Sequence, residues 1–376
     1  MQKTSKIYEL FLSVTPGLEE FAKDELKELI RYEFFTSIEI ESDNEKGLLL
    51  KSKDLFSLLT LIKFLKIPTR ALLRVEEFKA RDLPKLYKKL SKINWNDYIP
   101  TADFEFKVSS HNSRLFDDRK IIKAAKDAIF DYQKAQPFKA KYNELTWSHA
   151  PIIFIRFEED MCQVSIDCSG ERLDKRGHKI FTAKAPMRES LGAALIRFIN
   201  RNEEKDYTLL DPMAGSGTIV SEYLLQDQIN SKRNYNFENF PLFRKLPAQK
   251  LNITKDERKR KALANDINQD NIRAIKENLI GYDLEVAQGD FFKMVQTSAN
   301  NLVIACNLPY GKRIKTQKNI HEFVNDFFAK SQELGAQSAY AVMPDTFIID
   351  KKYKVKRSQR INNGGIWVQF VKVSYN

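Results

Sequence analysis

The apolar residues of this chain follow two different patterns, which meet near residue 185. Before that point, alternating stretches such as DFEFKVSSHNS lie between amphipathic helices, for example one with Leu83, Leu86 and Leu90 on a single face. Alternation is typical of strands that are buried on one side only. After that point, apolar runs such as YTLL and NLVIA alternate with helical segments, which is typical of strands that are covered on both faces. The pattern therefore predicts an α+β front half and an α/β back half.

The front half is predicted to contain two small α+β units. In the first, residues 1–65, a strand is followed by a helix with Thr15 as its N-cap and Pro16 at its first position, then by a hairpin and a second helix. This β-α-β-β-α order indicates a ferredoxin-like unit. Residues 66–168 contain further strands and amphipathic helices and form the second unit, and residues 169–185 are predicted to be a linker.

Residues 186–376 alternate strands with helices, and this order predicts an open, mostly parallel sheet with helices on both faces. Such a sheet binds its ligands beyond the carboxyl ends of its strands. The fold class predicted for this part is therefore α/β and Rossmann-like. Residues that directly follow the apolar runs become the candidates for a site.

The most specific of these candidates is DPMAGSGT, residues 211–218, which follows one apolar run and opens a helix. Two glycines in this turn let the backbone approach a ligand closely. A phosphate-binding loop would need a lysine that is absent, and a dinucleotide fingerprint would need a small residue where Val220 stands. What remains is the glycine turn of S-adenosylmethionine (AdoMet) enzymes, in which an acid receives the positively charged amino-acid end of the cofactor. The residues expected to bind AdoMet here are Asp211, Met213, Ala214, Gly215, Ser216 and Gly217, and the alternative is a tight turn without a ligand.

Two further acids follow later strands. Asp266, 49 residues beyond Gly217, can accept both hydrogen bonds of a ribose diol, and the surplus stretch 227–260 is interpreted as an insertion. Asp290 stands where an acid can accept a hydrogen bond from the exocyclic amine of adenine. The alternatives are that Asp266 only caps a helix, a role that Asp270 could also fill, and that Asp290 only makes a turn.

The stretch CNLPYGKR, residues 306–313, comes directly after another apolar run. Asn307 offers a side-chain acceptor and Leu308 a backbone carbonyl, while Pro309 fixes the backbone between them and Tyr310. Two acceptors that converge on an exocyclic amine can localise its lone pair for attack, and an aromatic ring can stack on the base. These four residues are the predicted catalytic motif, and Asn307 is also expected to border the cofactor. A turn that merely ends the strand is the alternative.

Composition narrows the possible partners. Lys and Arg number 62 against 50 Asp and Glu, which gives a net charge of +12 and favours a polyanionic partner, although a generally charged surface explains the excess as well. Three cysteines and four histidines show no zinc-type spacing, so no metal site is expected. The start of the chain lacks the apolar run of a signal peptide, and no run reaches the ~18 residues of a membrane span. We therefore expect a cytoplasmic protein without a membrane partner; the pattern indicates no oligomeric state.

The motifs taken together resemble those of the THUMP-domain RNA guanine-N2 methyltransferases, in particular the enzymes that act on bacterial large-subunit rRNA. TPGLEEFAKDEL is similar to the start of that family, INWNDY and IDCSGERLDKRGHK to its THUMP region and exit, and APMRESLGAALI to the helix that leads into its catalytic domain. LLDPMAGSGT is similar to its cofactor turn, NFENFPLF to a segment inside its insertion, and NLPYGKR to its Asn-Pro-Pro-Tyr motif. The resemblance implies a ferredoxin-like unit, a THUMP domain and a class I AdoMet-dependent methyltransferase domain.

The resemblance also implies a reaction and a partner: methyl transfer from AdoMet to N2 of a guanine in structured RNA, preferably 23S rRNA. tRNA is the second possibility, because Leu308 departs from the family proline and is similar to the residue in tRNA-modifying relatives. A DNA adenine-N6 methyltransferase and a non-catalytic RNA-binding assembly factor are the remaining alternatives. The residues expected to bind RNA are Lys107, Arg114, Arg119, Lys120, Lys123, Arg176, Lys312 and Arg313, together with the basic run at 255–261.

Overall fold

The structure is a computed structural model of the chain, which describes residues 6–42, 47–99, 103–137, 150–179, 181, 186–204, 206–247, 249, 259–295, 299–309 and 320–375. The chain forms two compact units. Unit 1 comprises residues 1–14, 26–173 and 230–253, and unit 2 comprises residues 15–25, 174–229 and 254–376. In the described part of the chain, no helix is both long and apolar enough to cross a membrane.

Unit 1 is built on a seven-stranded sheet. Its strands are β1 (Tyr8–Ser13), β2 (Glu39–Ser42), β3 (Gly47–Ser52), β4 (Arg70–Lys79), β5 (Glu105–His111), β6 (Ile152–Glu158) and β7 (Met161–Asp167). The spatial order is β2-β3-β1-β4-β7-β6-β5, and all pairs are antiparallel except β5 with β6. The sheet is continuous across the predicted boundary at residue 65, since β1 pairs with β4. The division of this half into residues 1–65 and 66–168 remains a prediction.

Helices pack on the sheet of unit 1 through their apolar faces. They are α2 (Leu55–Thr60), α3 (Leu83–Leu90) and α4 (Asp118–Ala135). In α4 the residues Ile121, Ala125 and Ile129 recur at helical spacing and are buried, which is the amphipathic pattern that the sequence predicted. The predicted single helix at 54–65 is instead α2 followed by a 3-10 turn, Leu61–Phe64.

The stretch interpreted as an insertion contributes residues 230–253 to unit 1. The ring of Phe243, in the short helix α7 (Pro241–Arg244), stacks on Phe56 with centroids 5.2 Å apart. Asn230 accepts a hydrogen bond from Lys66 at 2.6 Å and donates one to the Leu65 carbonyl at 2.9 Å. These contacts make part of the insertion a structural element of unit 1.

Unit 2 contains a largely parallel sheet that fits the predicted doubly wound class. Its strands are β8 (Thr208–Asp211), β9 (Ala262–Asp266), β10 (Leu284–Gln288), β11 (Leu302–Asn307), β12 (Ser338–Pro344), β13 (Lys354–Arg357), β14 (Ile361–Asn363) and β15 (Ile366–Ser374). The order is β10-β9-β8-β11-β12-β15-β13, with β14 paired to β15. The strands from β10 to β12 run parallel, whereas β15 is antiparallel to its neighbours. Strand order reverses beside β8, so the carboxyl ends of β8 and β11 mark the expected ligand crevice.

Helices on this sheet are α5 (Glu189–Asn200), α6 (Thr218–Leu224), α8 (Gln269–Asn278) and α9 (Ile320–Glu333). Unit 2 also holds the beginning of α1 (Glu19–Leu29), where Phe21 packs on Phe198 and Phe370. The sequence predicted that this helix begins at Pro16, but it begins at Glu19. The backbone turns at Gly17, with a φ of +93°, and a Cβ there would lie 2.1 Å from the Arg360 carbonyl oxygen. This close approach delays the start of the helix to Glu19.

Candidate active site

Four polar side chains meet at the carboxyl edge of the unit 2 sheet. Asp211 ends β8, Asp266 ends β9, Asn307 ends β11, and Asp290 follows β10 after two residues. They line one cavity of 560 Å³. Its described walls are Pro186, Met187, Asp211, Pro212, Met213, Ala214, Gly215, Ser216, Thr218, Ile219, Asp266, Ile267, Asn271, Gly289, Asp290, Phe291, Phe292, Asn307, Pro309 and Phe323. The structure thus brings together the cofactor turn and the catalytic motif that the sequence predicted.

The cavity is electronegative. Asp211 is 2% exposed and Asp266 is 8% exposed, and the described walls contain no Lys, Arg or His. Burial raises the pKa of Asp211 well above its usual range, and the charge of Asp266 raises this pKa further. Two crowded carboxylates that lack a cationic partner are stabilised by a positively charged ligand. This observation fits AdoMet, whose sulfonium and ammonium groups are both cationic.

The glycine turn combines two different requirements. Gly215 has a φ of +55°, and its N–H donates to Asp266 Oδ2 at 2.7 Å, so the turn is tied to the end of β9. Gly217, with a φ of +76°, is not a wall residue: a Cβ there would lie 2.9 Å from Ile275 Cγ1 in α8. The expectation that Gly217 contacts the cofactor stays a prediction, and the contact with Ile275 gives this residue a second reason to be glycine. Its role is to let α6 begin close against α8.

Asp266 accepts three hydrogen bonds from within the protein, which the sequence did not indicate. Its Oδ1 accepts hydrogen bonds from the Asn268 N–H and the Asn271 side chain, at 2.8 and 3.0 Å, in addition to the bond from Gly215 to Oδ2. Since a carboxylate offers about four acceptor positions, one remains for a ribose hydroxyl rather than two. Neither Asp266 nor Asp270 caps α8; that residue is Asn268.

Asp290 makes a turn and also stands in the cavity wall. It caps the 3-10 turn Phe291–Lys293 by accepting from the Phe292 N–H at 3.0 Å, and it also lines the cavity. Turn formation and a place in the wall are thus compatible, because capping engages only one of the two carboxylate oxygens. A contact with adenine remains a prediction.

Asn307 carries the amide acceptor of the catalytic motif. Its Oδ1 is buried and has no hydrogen-bond partner among the residues that the structure describes. A buried acceptor without a donor costs free energy, so its position is explained by a ligand that supplies an N–H. Pro309 lines the cavity, whereas the Leu308 side chain is fully buried in the core and its N–H donates to the Val342 carbonyl at 3.2 Å. Tyr310, Lys312 and Arg313 lie outside the described residues.

Sequence reasoning missed a buried ionic cluster behind the cavity wall. Arg176, only 2% exposed, pairs with Glu222 and with Glu189, and the Lys179 ammonium lies 3.7 Å from Glu189. The prediction that Arg176 binds RNA is therefore wrong, because its guanidinium is enclosed and neutralised within unit 2. Lys179 donates to the Thr218 hydroxyl at 2.6 Å, and Thr218 is a wall residue. The available signal was Glu222, a lone acid in the otherwise apolar helix segment TIVSEYLL.

Five of the other candidate RNA-binding residues lie in unit 1. Lys107 on β5 is exposed, and its ammonium lies 5.7 Å from the Phe154 ring centroid. Arg114, Arg119, Lys120 and Lys123 are also exposed, in the loop before α4 and along its first turns. Their exposure is compatible with RNA contacts, which remain predictions. Of the basic run at 255–261, only residues 259–261 are described.

The strand order, the glycine turn and the anionic cavity define unit 2 as a class I AdoMet-dependent methyltransferase fold. A family model described as "RMKL-like, methyltransferase domain" matches residues 176–363, which is half of the chain. The chain belongs to this family. A THUMP domain model matches residues 80–167. The predicted fold class and its AdoMet cofactor are thereby confirmed.

Known proteins are similar along different shares of their length. A tRNA (guanine(6)-N2)-methyltransferase from Methanocaldococcus jannaschii is 26% identical, with 95% of this chain and 97% of that protein covered. A ribosomal RNA large subunit methyltransferase K/L from Buchnera aphidicola is 28% identical, with 68% of this chain and only 39% of that protein covered. The solved SMU.472 protein, complexed with SAH, has the same fold with a TM-score of 0.75, 22% identity and 99% of both chains covered.

Proposed function

We propose that this protein transfers a methyl group from AdoMet to the exocyclic N2 of a guanine in structured RNA. The observation that carries the proposal is the buried Oδ1 of Asn307, which has no hydrogen-bond partner among the described residues and lies at the edge of an anionic cofactor cavity. An exocyclic amine supplies the N–H donor that this acceptor lacks. The THUMP domain and the guanine-N2 specificity in the name of the Methanocaldococcus relative support RNA and guanine.

The polar residues of the cavity wall then position the cofactor and the guanine. Asp211 and the turn 213–217 hold the amino-acid end of AdoMet, Asp266 a ribose hydroxyl and Asp290 the adenine. When bound, AdoMet supplies a methyl group that is already activated by the sulfonium. The task left to the protein is to orient the nucleophile, and Asn307 and the Leu308 carbonyl would do so by accepting from the guanine amine. Pro309 restricts the backbone at this point.

Two RNA classes compete as substrate. The motif resemblance favours 23S rRNA, and the name of the Buchnera relative specifies large-subunit ribosomal RNA. The tRNA-directed relative, however, is matched over nearly its whole length, whereas the rRNA-directed one is matched over 39% of its length. The two substrates are therefore tested side by side.

The decisive experiment is radiolabelled methyl transfer from AdoMet to purified 23S rRNA and to bulk tRNA, followed by nucleoside analysis for N2-methylguanosine. We expect Asn307→Ala to lower kcat by about 100-fold or more, the magnitude seen when one polar group is removed from a preorganised site. Thermal unfolding of this variant, measured beside the wild type, controls for folding. A full rate in Asn307→Ala, or label in a base other than guanine, would refute the proposal.

A further inference from the structure

Unit 2 presents an exposed hairpin that takes no part in the cofactor cavity. β14 and β15 are joined by Gly364 and Gly365, with φ values of +66° and +91°, the backbone of a two-residue type I′ turn. Asn362 Oδ1 accepts from the Gly365 N–H at 2.8 Å and braces this turn. Such a short, braced turn holds the residues that follow it in a fixed register.

The residues held in this way are apolar and exposed. Ile366 is 43% exposed and Trp367 is 42% exposed. The Arg360 guanidinium carbon lies 5.2 Å from the Trp367 ring centroid, and Arg360 Nε donates to Asp345 Oδ2 at 2.7 Å. The ion pair fixes the guanidinium beside the indole. The two flat groups form a preorganised surface. Because their side chains are already ordered in the folded protein, binding a ligand costs little further side-chain entropy.

The charge around this pair favours an anionic occupant. Residues 345–375 contain seven Lys and Arg but only two acids. Both acids are engaged locally, Asp345 with Arg360 and Asp350 with Lys352. Arg357 at the end of β13 is exposed as well. A flat aromatic–guanidinium pair within a basic surface is the combination that binds bases by stacking and phosphates by charge.

Strand register relates this pair to the catalytic motif. Asn307 on β11 is level with Val342 on β12, which is level with Phe370 on β15. Trp367 is therefore two strands across and three residues further towards the carboxyl edge, where the cavity lies. With strands ~4.8 Å apart and a rise of ~3.3 Å per residue, the separation is about 14 Å. A few nucleotides of single-stranded RNA span this distance.

We propose that Trp367 and Arg360 form a stacking platform for an unpaired RNA nucleotide that flanks the methylated guanine. This rests on the proposed function and adds a substrate-binding site to it. Trp367 provides the ring on which a base stacks, and Arg360 and Arg357 neutralise the adjoining phosphates. Stacking tolerates any base, so the platform would hold the strand near the cavity without selecting its sequence.

The test uses the full chain and a fluorescently labelled single-stranded RNA of about eight nucleotides, within the usual site size for such surfaces. We expect Trp367→Leu to weaken binding by roughly 5- to 150-fold, the loss associated with one stacked base. Trp367→Phe, which keeps a flat ring, should stay much closer to wild type. Ile280→Ala is the matched control, because Ile280 is 78% exposed in the same unit.

A second readout reports the stack directly. The same RNA without its label should quench the tryptophan fluorescence of the wild type more than that of Trp367→Phe, since the variant lacks only the Trp367 indole, whereas Trp147 and the fully buried Trp95 are common to both proteins. Equal affinity of the Leu and Phe variants, equal quenching, or no binding by the wild type would each overturn the platform. Methyl transfer is assayed separately. If methyl transfer occurs but no stacking on Trp367 is found, the proposed function stands and the platform does not. If RNA quenches Trp367 fluorescence but no RNA is methylated, the proposed function is refuted while RNA stacking on Trp367 is still observed.

Discussion

Asp211 shows how one residue can serve binding at the expense of stability. It is 2% exposed, and the charge of Asp266 adds to the cost of ionising it. A carboxylate in this position is costly in the free protein and is compensated when a cation enters. The sequence predicted this acid from its place before the glycine turn. It also predicted Asp266 at the same cofactor, but not that this charge raises the pKa of Asp211, because their proximity depends on the pairing of β8 with β9.

We expect Asp211→Asn to weaken AdoMet binding by about 10- to 150-fold, the range for a lost charge-assisted hydrogen bond. The same change should raise the melting temperature of the cofactor-free protein. The folded-state pKa of Asp211 lies above the unfolded one, so the stability gained from its protonated form is lost as the pH rises through that pKa. Asn mimics the protonated form at every pH. Calorimetry and thermal unfolding measure the two effects.

The pH dependence checks the same assignment. As the pH falls towards the raised pKa of Asp211, AdoMet should bind the wild type more weakly, whereas Asp211→Asn should change little over the same interval. Matching pH profiles for the two proteins, or a lower melting temperature for the variant, would contradict the role given to Asp211.

At the scale of elements, α5 and α6 are joined by the buried ionic cluster rather than by apolar contacts alone. Gly192 in α5 allows this, since a Cβ there would lie 3.0 Å from Glu222 Cγ and 3.1 Å from Thr218 Cγ2. Lys179 reaches Thr218 at the first position of α6, directly after the glycine turn. Burial lowers the Lys179 pKa, opposed chiefly by Glu189. The cluster thus positions one wall of the cofactor cavity.

Removal of the Lys179 charge should therefore weaken AdoMet binding more than it slows methyl transfer. We expect Lys179→Met to raise the KM for AdoMet by about 10-fold, or about 1.4 kcal/mol, with a smaller change in kcat, and Lys179→Arg to restore part of the loss. Because unpairing buried acids can destabilise a fold by about 3–5 kcal/mol, Thr218→Val provides a milder variant with the same expected direction. An unchanged KM in a folded Thr218→Val protein would argue against the positioning role.

The elements predicted well have a clear pattern of apolar residues. In α4 these residues recur at helical spacing, and β8 and β11 contain continuous apolar runs. The elements predicted poorly depend on contacts distant in sequence. The α1 helix begins late because Gly17 meets Arg360, and β13 and β14 are short strands that only β15 makes regular. The packing role of Gly217 could not be predicted, because its partner Ile275 lies 58 residues away in the sequence.

At the scale of the molecule, the net charge of +12 has a measurable consequence. RNA affinity should fall steeply with salt, because each neutralised phosphate contributes a slope of about −0.7 to −0.9 in log K against log salt. We expect the triple variant Lys107→Ala, Arg114→Ala, Lys123→Ala to reduce the slope by about two to three.

A matched triple change elsewhere separates specific contacts from net charge. Lys27, Lys53 and Lys276 are exposed, and their replacement by Ala removes the same total charge. Equal slopes for the two triple variants would show that the residues on β5 and near α4 are not privileged RNA contacts. The sequence indicated these residues from clustering alone, and linear sequence does not reveal which charges the fold encloses, as the buried Arg176 shows.

The assignment of residues 15–25 to unit 2 and 230–253 to unit 1 has a consequence for synthesis on the ribosome. The Pro16 carbonyl accepts from the Asn362 N–H at 2.9 Å, and the Gly17 carbonyl from Gln359 at 2.7 Å, so this segment gains these partners only after Gln359 and Asn362 have been made. Unit 1 likewise lacks part of its core until residue 253 has been made. Neither unit can complete its fold until segments distant in sequence have been made, and this high contact order slows folding and prolongs exposure of apolar surface. No cut near residue 168 or 185 yields a fragment that contains either unit whole.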